Sequence, residues 1–334
     1  MHFLTHFTIA LISLITIVLS CILFTNAIEF LGNKLKLGNS ATGSILAVIG
    51  TGLPELIVPI VAIFGVYFTK TNIDVAKDIA LGAILGSPFA LSTLALFLLS
   101  FVLIIQKRNK LNVEHSFVLR EYKYFLLSYS IAVLFSFGVL YSYRYFAVLF
   151  LLLMYGIFVY RTILKSRIAC VECECEGLLF LKKNNSNVNL VLFLQLFFSL
   201  FVLVLASHFF VKEINFFSLY FGASPAIIAL IITPFATELP ECVNSLIWLK
   251  QNKDELALAN ILGAIVFQST VLFSIGILLT PWNFSESLFI NALFAFLASL
   301  VLFVFVLFNK KICLTNLLFC GIVYFSYLTI VLVK

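Results

Sequence analysis

Two short segments of the chain carry the residues that could do chemistry, and they are near copies of each other. One reads TGLPEL and the other TELPEC, and each places a glutamate within a long apolar stretch. A carboxylate at membrane depth is costly and is usually kept where a cation or a proton passes. Thr51 and Glu55 of the first segment are four residues apart and share one helix face. Thr237 and Glu241 repeat this spacing in the second, so both segments are predicted to bind a cation through hydroxyl and carboxylate oxygens.

Each segment also contains a proline, Pro54 in the first and Pro240 in the second. A proline inside a helix cannot donate to the carbonyl four residues earlier, which here frees the carbonyls of Gly50 and Ala236. A freed carbonyl at membrane depth needs a partner, which a cation or a water molecule in a cavity provides. Carboxylate, hydroxyl and carbonyl oxygens together form the hard ligand set that suits Ca²⁺. Neither segment contains a lysine or an arginine, so the counter-charge must be an ion or a proton.

Glu238 adds a third carboxylate, three residues before Glu241 and on roughly the same helix face. Like charges that close together cannot all ionise cheaply, so one of them is expected to exchange a proton near neutral pH. Such an exchange would couple the binding of metal cations to the binding of protons. Further polar groups in the neighbouring apolar stretches are Ser87, Asn244, Asn260 and Gln268.

The elements that must position these residues are membrane helices, and the predicted fold class is all-α. Of 334 residues, 63% are hydrophobic and only 11% are charged, whereas a soluble domain has about 25% charged residues. Apolar runs long enough to cross a bilayer recur along the chain and predict a polytopic membrane protein with about ten transmembrane helices, the first a retained helix and not a cleaved signal. The predicted spans are 7–30, 39–68, 76–105, 124–142, 145–164, 189–211, 222–249, 255–279, 286–308 and 312–333.

The lysines and arginines are concentrated in alternate loops, above all around 107–123 and 161–183. Because cytoplasmic loops carry an excess of basic residues, the N and C termini are predicted to lie outside and the loop 166–188 in the cytoplasm. The expected location is a cell inner membrane of the prokaryotic type. The net charge of +6 is attributed to this orientation, so the expected partners are the lipid bilayer and inorganic cations, not nucleic acid.

The chain divides into two halves with the same order of features. A small-residue turn, at 38–40 in one half and 222–224 in the other, precedes each TxLPE segment. The sequence ALGAILGS at 80–87 follows in the first half and ALANILGA at 257–264 in the second, identical at five of eight positions. Three matches in the same order indicate an internal repeat.

Each half is predicted to hold five helices, the first at 1–165 and the second at 189–334, joined by a cytoplasmic linker at 166–188. Because five is an odd number, the second half enters the membrane from the opposite side, which makes the halves inverted repeats. A pseudo-two-fold axis in the membrane plane would bring Glu55 and Glu241 together at mid-depth, where such transporters bind their substrates.

These motifs resemble those of the cation/calcium exchanger superfamily, whose repeats carry a G-T-S-L-P-E core followed by a G-S-N-containing helix. The resemblance covers 38–100 and 222–280. It implies a secondary active antiporter that exchanges Ca²⁺ for Na⁺ or H⁺ by alternating access, without a cofactor and without enzymatic activity. By motif position it assigns cation coordination to Thr51, Glu55, Thr237 and Glu241, and the later-helix serine to Ser87 and Ala264. The full predicted set of metal-binding residues is Thr51, Glu55, Ser87, Thr237, Glu238, Glu241, Asn260 and Gln268.

The sequence departs from the superfamily pattern at positions that bear on the coupling ion. The serine after the threonine is Gly52 in one repeat and Glu238 in the other. The Asn or Asp four residues after the later serine is replaced by Leu91 and Gln268. Because several sodium ligands of the pattern are missing and a carboxylate is gained, these differences favour proton coupling over strict exchange with Na⁺.

Two alternatives stay open: a proton-coupled exchanger of other cations, and a transport-inactive member that acts as a sensor or scaffold. An intramembrane protease is disfavoured because the sequence has no HExxH motif and no aspartate in a predicted span core.

The linker contains three cysteines that alternate with glutamates, Cys170, Cys173 and Cys175. They are interpreted as part of a reduced loop, since no second ligand pair accompanies them. A monomer is compatible with the sequence, which leaves the oligomeric state open.

Overall fold

The computed structural model describes residues 2–52, 55–56, 59–60, 63, 73–137, 142–168, 177–180, 187–220, 222, 230–231 and 233–333. Within these ranges the regular structure is helical, and an isolated antiparallel bridge joins Lys110 and Cys313. Seven of the described helices are long and apolar enough to cross a membrane, which confirms the prediction of an all-helical polytopic membrane protein. The predicted total of about ten spans stays a prediction.

The helices are labelled in chain order, and the pieces under one label differ in pitch or, in α7, are separated by Glu238. In the first half they are α1 (His2–Lys34), α2 (Asn39–Ala41, Thr42–Ala47 and Val48–Thr51), α3 (Ile73–Ala90, Leu91–Ala95 and Leu96–Ile105), α4 (His115–Leu134) and α5 (Arg144–Ile168). In the second half they are α6 (Val188–Tyr220), α7 (Thr233–Thr237 and Leu239–Lys250), α8 (Asp254–Phe267, Gln268–Leu272 and Phe273–Leu279), α9 (Glu286–Asn309) and α10 (Leu314–Val333).

α4 begins at His115, before the start of the predicted span 124–142. Charged residues between His115 and the start of the predicted span lower the hydropathy there, so the hydropathy pattern does not indicate where the helix begins. In the folded chain Glu121 is fully buried and accepts a hydrogen bond from the adjacent Arg120 at 2.9 Å. A buried carboxylate is tolerated when a cation is paired with it, so the helix can run through this charged stretch.

Wider, π-helical turns occur at matching places in α3 and α8. In α3 a π-helical turn at Leu91–Ala95 begins four residues after Ser87. In α8 a π-helical turn at Gln268–Leu272 begins four residues after Ala264, the equivalent of Ser87 in the second predicted repeat. Such turns are rare and frequently occur at functional sites. Their shared position is consistent with the repeat predicted from the sequence.

The candidate membrane helices differ in how much of their surface is covered. α8 and α3 are the most buried, whereas α1, α5, α6, α9 and α10 each expose an apolar face of the kind that lipid covers. α1 lies along α6, where Ile17 and Cys21 pack against Leu203 and Ala206. Glu238 and Glu241 belong to α7, and Glu55 lies four residues after the end of α2. Both α2 and α7 pack against α8 in the centre of the bundle.

α2 and α8 approach each other backbone to backbone at Gly263. A Cβ added to Gly263 would lie 2.5 Å from the carbonyl oxygen of Ser44 and would also meet the Ser44 Cα. No flexible side chain stands at this contact to move aside. A residue with a side chain at this position would therefore push the two helices apart.

We predict that Gly263→Ala lowers the free energy of unfolding by about 2 kcal/mol, because the clash outweighs the better helix propensity of alanine. Thermal unfolding of the purified full chain in detergent measures this. The matched control is Gly156→Ala in α5, where an added Cβ has no neighbour within 4 Å. Gly156→Ala should leave the chain as stable or slightly more stable. Equal stability of the two variants would contradict the close approach of α2 and α8.

The loop after α3 is tied to the first turn of α8 by a partly buried ion pair. Arg108 Nη1 donates to Asp254 Oδ1 at 3.0 Å, and the Asp254 side chain is only 2% exposed. The backbone amide of Asn112 donates to Asp254 Oδ2 at 2.6 Å. The carboxylate is thus held by a cation and an amide at once.

We predict that Arg108→Gln lowers the free energy of unfolding by about 2 kcal/mol, because Asp254 stays buried and loses its cation. The loss is smaller than for a fully buried pair, since the Arg108 side chain is 26% exposed and solvent screens part of its charge. The neighbouring exposed Lys107 gives a control with the same change of charge. Lys107→Gln should leave the thermal unfolding midpoint unchanged, and an equal fall in both variants would refute a specific role for the pair.

Candidate cation site

The acidic residues of α7 stand where that helix is interrupted. Glu238 separates the two pieces of α7, and its amide donates to the carbonyl of Pro234 at 2.9 Å. Pro240 follows within the first two positions of the next piece, where a missing N–H costs no hydrogen bond. Glu241 therefore lies in the first turn of that piece, where the helix dipole favours a negative charge.

Three carboxylates from the two TxLPE segments converge on one place. Glu55, Glu238 and Glu241 each offer an oxygen, and these oxygens all lie within 4.8 Å of one another. The three residues are 3%, 1% and 1% exposed, so bulk water does not screen their charges. The predicted meeting of Glu55 and Glu241 is thus present in the fold.

Most of these carboxylate oxygens have no hydrogen-bond partner in the part of the chain that the structure describes. Both oxygens of Glu55 are buried and unpartnered, as are Oε2 of Glu238 and Oε2 of Glu241. Within the described ranges no lysine, arginine or histidine pairs with any of the three. Buried carboxylates without partners are costly, so the pocket requires cations or protons to be stable.

The other predicted residues lie around the three carboxylates. Gln268 Nε2 donates to Glu238 Oε1 at 2.8 Å, and the Ser87 hydroxyl lies beside the same carboxyl group. The amide oxygen of Gln268 is buried and unpartnered. Gln268 is the first residue of the π-helical turn in α8, so that turn faces the acidic cluster.

Asn260 supports Glu241 through its backbone. Its Nδ2 donates to the Glu241 carbonyl at 3.0 Å and to Ser245 Oγ at 3.0 Å, while its Oδ1 is buried without a partner. The threonines bond within their own helices: Thr51 Oγ1 donates to the Ala47 carbonyl at 3.0 Å. Thr237 Oγ1 donates to the Pro234 carbonyl at 3.1 Å. Their hydroxyl oxygens retain lone pairs for a ligand, and that of Thr51 lies beside the carboxyl group of Glu241.

Two buried hydroxyls near the site were missed by the sequence reading. Ser44 Oγ is buried in the π-helical part of α2 and has no partner among the described residues. Ser245 bonds Asn260. Neither is marked by a local pattern, and Ser245 is recognisable only once α7 and α8 are seen to pack together.

The oxygens without partners form a hard, anionic ligand set. They are contributed by carboxylates and side-chain amides, and among the described residues no sulfur or imidazole ligand joins the three glutamates within 4.8 Å. Such a set suits Ca²⁺, which takes six to eight oxygens, better than a transition metal, which favours nitrogen and sulfur.

The sequence matches the profile of the sodium/calcium exchanger protein family over residues 5–164 and 191–333, nearly the whole chain. The chain belongs to that family. It is also 37% identical over 62 residues to the putative antiporter CaxA of Alkalimonas amylolytica, and that match spans 19% of this exchanger-family chain and 19% of CaxA.

Solved structures of the sodium-calcium exchanger NCX_Mj have the same fold. One, soaked with 2.5 mM Na⁺ and 1 mM Sr²⁺, is 19% identical with a TM-score of 0.73 and covers 97% of both chains. Another, soaked with 100 mM Na⁺ and 10 mM Sr²⁺, is 19% identical with a TM-score of 0.74 and covers 98% of both chains. At this identity the likeness establishes the fold of the exchanger and not its ions.

Some predicted features lie outside the described residues. These are Pro54, most of the turn predicted at 222–224, and the linker cysteines Cys170, Cys173 and Cys175.

Proposed function

We propose that this exchanger-family chain is a secondary active antiporter that moves Ca²⁺ against Na⁺ or H⁺ by alternating access. The proposal rests above all on the three buried carboxylates within 4.8 Å of one another. A pocket with up to three negative charges and no basic partner among the described residues must take up cations, and a membrane position makes transport the natural outcome. The family to which the chain belongs is that of a membrane exchanger, not of an enzyme.

The roles we assign follow from the geometry. Glu55, Glu238 and Glu241 coordinate the ion, with Thr51 and Ser87 contributing hydroxyl oxygens from the first repeat. Gln268 Nε2 fixes the carboxylate of Glu238 and Asn260 Nδ2 fixes the backbone carbonyl of Glu241, and both amides can add carbonyl oxygens. Thr237 is assigned to the same site from its motif position alone.

We assign the chain two inverted repeats, 1–165 and 189–334, joined by a cytoplasmic linker at 166–188, in a cell inner membrane with both termini outside. The assignment is supported by the basic loops and by the matching π-helical turns in α3 and α8. Inverted repeats supply the two related conformations that alternating access needs.

For the coupling ion, the charge of the pocket favours H⁺. Without Ca²⁺, three carboxylates within 4.8 Å of one another in a buried site cannot all stay ionised cheaply, so the pocket takes up a proton, and this proton leaves when Ca²⁺ binds. Glu238 is the residue we assign to this proton, because it stands where the superfamily pattern has a neutral serine. Na⁺ is the alternative counter-ion.

The test is ⁴⁵Ca²⁺ uptake into liposomes that contain the purified full chain, with Na⁺ and proton gradients imposed separately. The proposal expects uptake under at least one gradient, and uptake under the proton gradient alone if Glu238 carries the exchanged proton. Ca²⁺ binding without any flux would instead identify a sensor or scaffold. A folded preparation that neither binds nor moves Ca²⁺ would end the proposal.

A further inference from the structure

α4 and α5 enclose a groove of about 520 Å³ at one end of both helices. α4 begins there at His115, and α5 ends just beyond the groove at Ile168. Both helix ends adjoin loops that the distribution of basic residues places on the cytoplasmic side. The groove therefore lies near the level of the cytoplasmic lipid headgroups, far in sequence from the acidic residues of the cation site.

The groove is strongly basic. Its lining includes five basic side chains: His115, Arg120, Lys123, Arg161 and Lys165. Lys123, Arg161 and Lys165 have no carboxylate within 4.0 Å in the described part of the chain. They come from two different helices, so their charges converge across the groove without being neutralised.

The acidic groups near the groove do not cancel this charge. Glu121 is fully buried and pairs with Arg120, whose Nε is buried without a partner. Glu114 bonds the hydroxyl of Ser116 at the start of α4. Glu255 of α8 also faces Arg120 and Glu114, and it is held by Ser40. The three lysine and arginine side chains without partners remain as a net positive surface.

The walls of the groove are apolar and open toward lipid. Leu127 lines it and is 52% exposed, and the neighbouring α5 residues Tyr160 and Leu164 are 67% and 51% exposed. The ring of Tyr124, which lines the groove, packs edge to face on Phe158 of α5 at a centroid distance of 5.3 Å, so the two helices are in contact there. A molecule in this groove meets cations at the membrane surface and hydrocarbon-facing side chains below them.

We propose that the groove between α4 and α5 binds the phosphate of an anionic phospholipid from the cytoplasmic leaflet. Basic pockets between membrane helices on this side recognise acidic lipid headgroups. Arg161, Lys165 and Lys123 hold the phosphodiester, and the acyl chains lie along Leu127 and the exposed face of α5. A soluble phosphate compound shares the anionic group but would gain nothing from the apolar walls. The site is independent of the proposed cation exchange.

The test is native mass spectrometry of the delipidated full chain in detergent, titrated with phosphatidylglycerol, with phosphatidylcholine, or with inorganic phosphate. Wild type is expected to retain one phosphatidylglycerol and to lose it about thirtyfold more readily in Arg161→Gln/Lys165→Gln, since each basic side chain near an anionic lipid contributes about fivefold. Lys310→Gln/Lys311→Gln, an exposed pair with the same change of charge on the side predicted to be cytoplasmic, is expected to bind as wild type does.

Three results would overturn the proposal: equal weakening in both double variants, equal retention of phosphatidylcholine, or displacement of the lipid by inorganic phosphate at the same concentration. The last would assign the groove to a soluble anion. Lys123→Gln removes a single exposed side chain and provides the same comparison should the first double variant not fold.

Discussion

Glu55→Gln and Glu241→Gln are each expected to reduce Ca²⁺ transport by at least about thirtyfold. Each substitution keeps the size of the side chain but removes a charge from a site where the three carboxylates lie within 4.8 Å. Removing one partner of a buried charge interaction costs about 2–5 kcal/mol, and tenfold in affinity corresponds to about 1.4 kcal/mol. The measurement is initial ⁴⁵Ca²⁺ uptake into liposomes at matched protein content.

A second readout separates loss of function from loss of folding. Without Ca²⁺, wild type holds buried carboxylates without partners, so Glu55→Gln should leave thermal stability unchanged or raise it. Saturating Ca²⁺ should stabilise wild type by about 2.7 kcal/mol at a hundred times the Kd and should hardly stabilise the variant. Glu114→Gln, at an exposed position, is the matched control and should retain both uptake and Ca²⁺ stabilisation. Uptake that survives in Glu55→Gln would remove the carboxylate from the mechanism.

Glu238→Gln is expected to change how transport depends on pH. Protons and Ca²⁺ compete for the same carboxylates, so Ca²⁺ binding releases protons and wild-type uptake should rise with pH. If Glu238 carries the exchanged proton, the glutamine variant loses this competition at one site and its pH profile becomes flatter. Uptake driven by a proton gradient should fall by about tenfold or more, while any uptake driven by Na⁺ changes less.

Gln268→Leu also tests whether Glu238 carries the exchanged proton, because it changes the hydrogen-bond donor and not the carboxyl group. It removes the amide that donates to Glu238 Oε1 at 2.8 Å and leaves the carboxyl in place. A shift of the pH profile in both variants supports Glu238 as the proton carrier. A pH profile in Glu238→Gln identical to that of wild type would remove the case for it.

The sequence allowed the acidic cluster to be predicted because its members are repeated. The copied Thr-x-Leu-Pro-Glu segments marked Glu55 and Glu241, and an odd number of helices per half implied that the two would meet. Both points follow from local spacing and topology, which a single sequence records. The adjacent Glu238 was found for the same reason, as an extra charge within a known motif.

Other features depend on packing that no local pattern records. The π-helical turn in α8 begins at Gln268, which bonds Glu238, and this turn depends on how the neighbouring helices pack. The early start of α4 depends on the ion pair between Glu121 and Arg120. A hydropathy scale counts each of these charges as unfavourable and takes no account of their pairing. The bond from Asn260 to the Glu241 carbonyl likewise requires α7 and α8 to be adjacent.

The most direct test of the cation site is an experimental structure of the full chain with Ca²⁺ bound, or with Sr²⁺ as a stronger scatterer. We predict ion density between Glu55 and Glu241, at about 2.3–2.6 Å from at least one oxygen of each, with Glu238 as a further ligand. An empty pocket in a preparation that transports Ca²⁺, or an ion bound elsewhere in the bundle, would contradict the account.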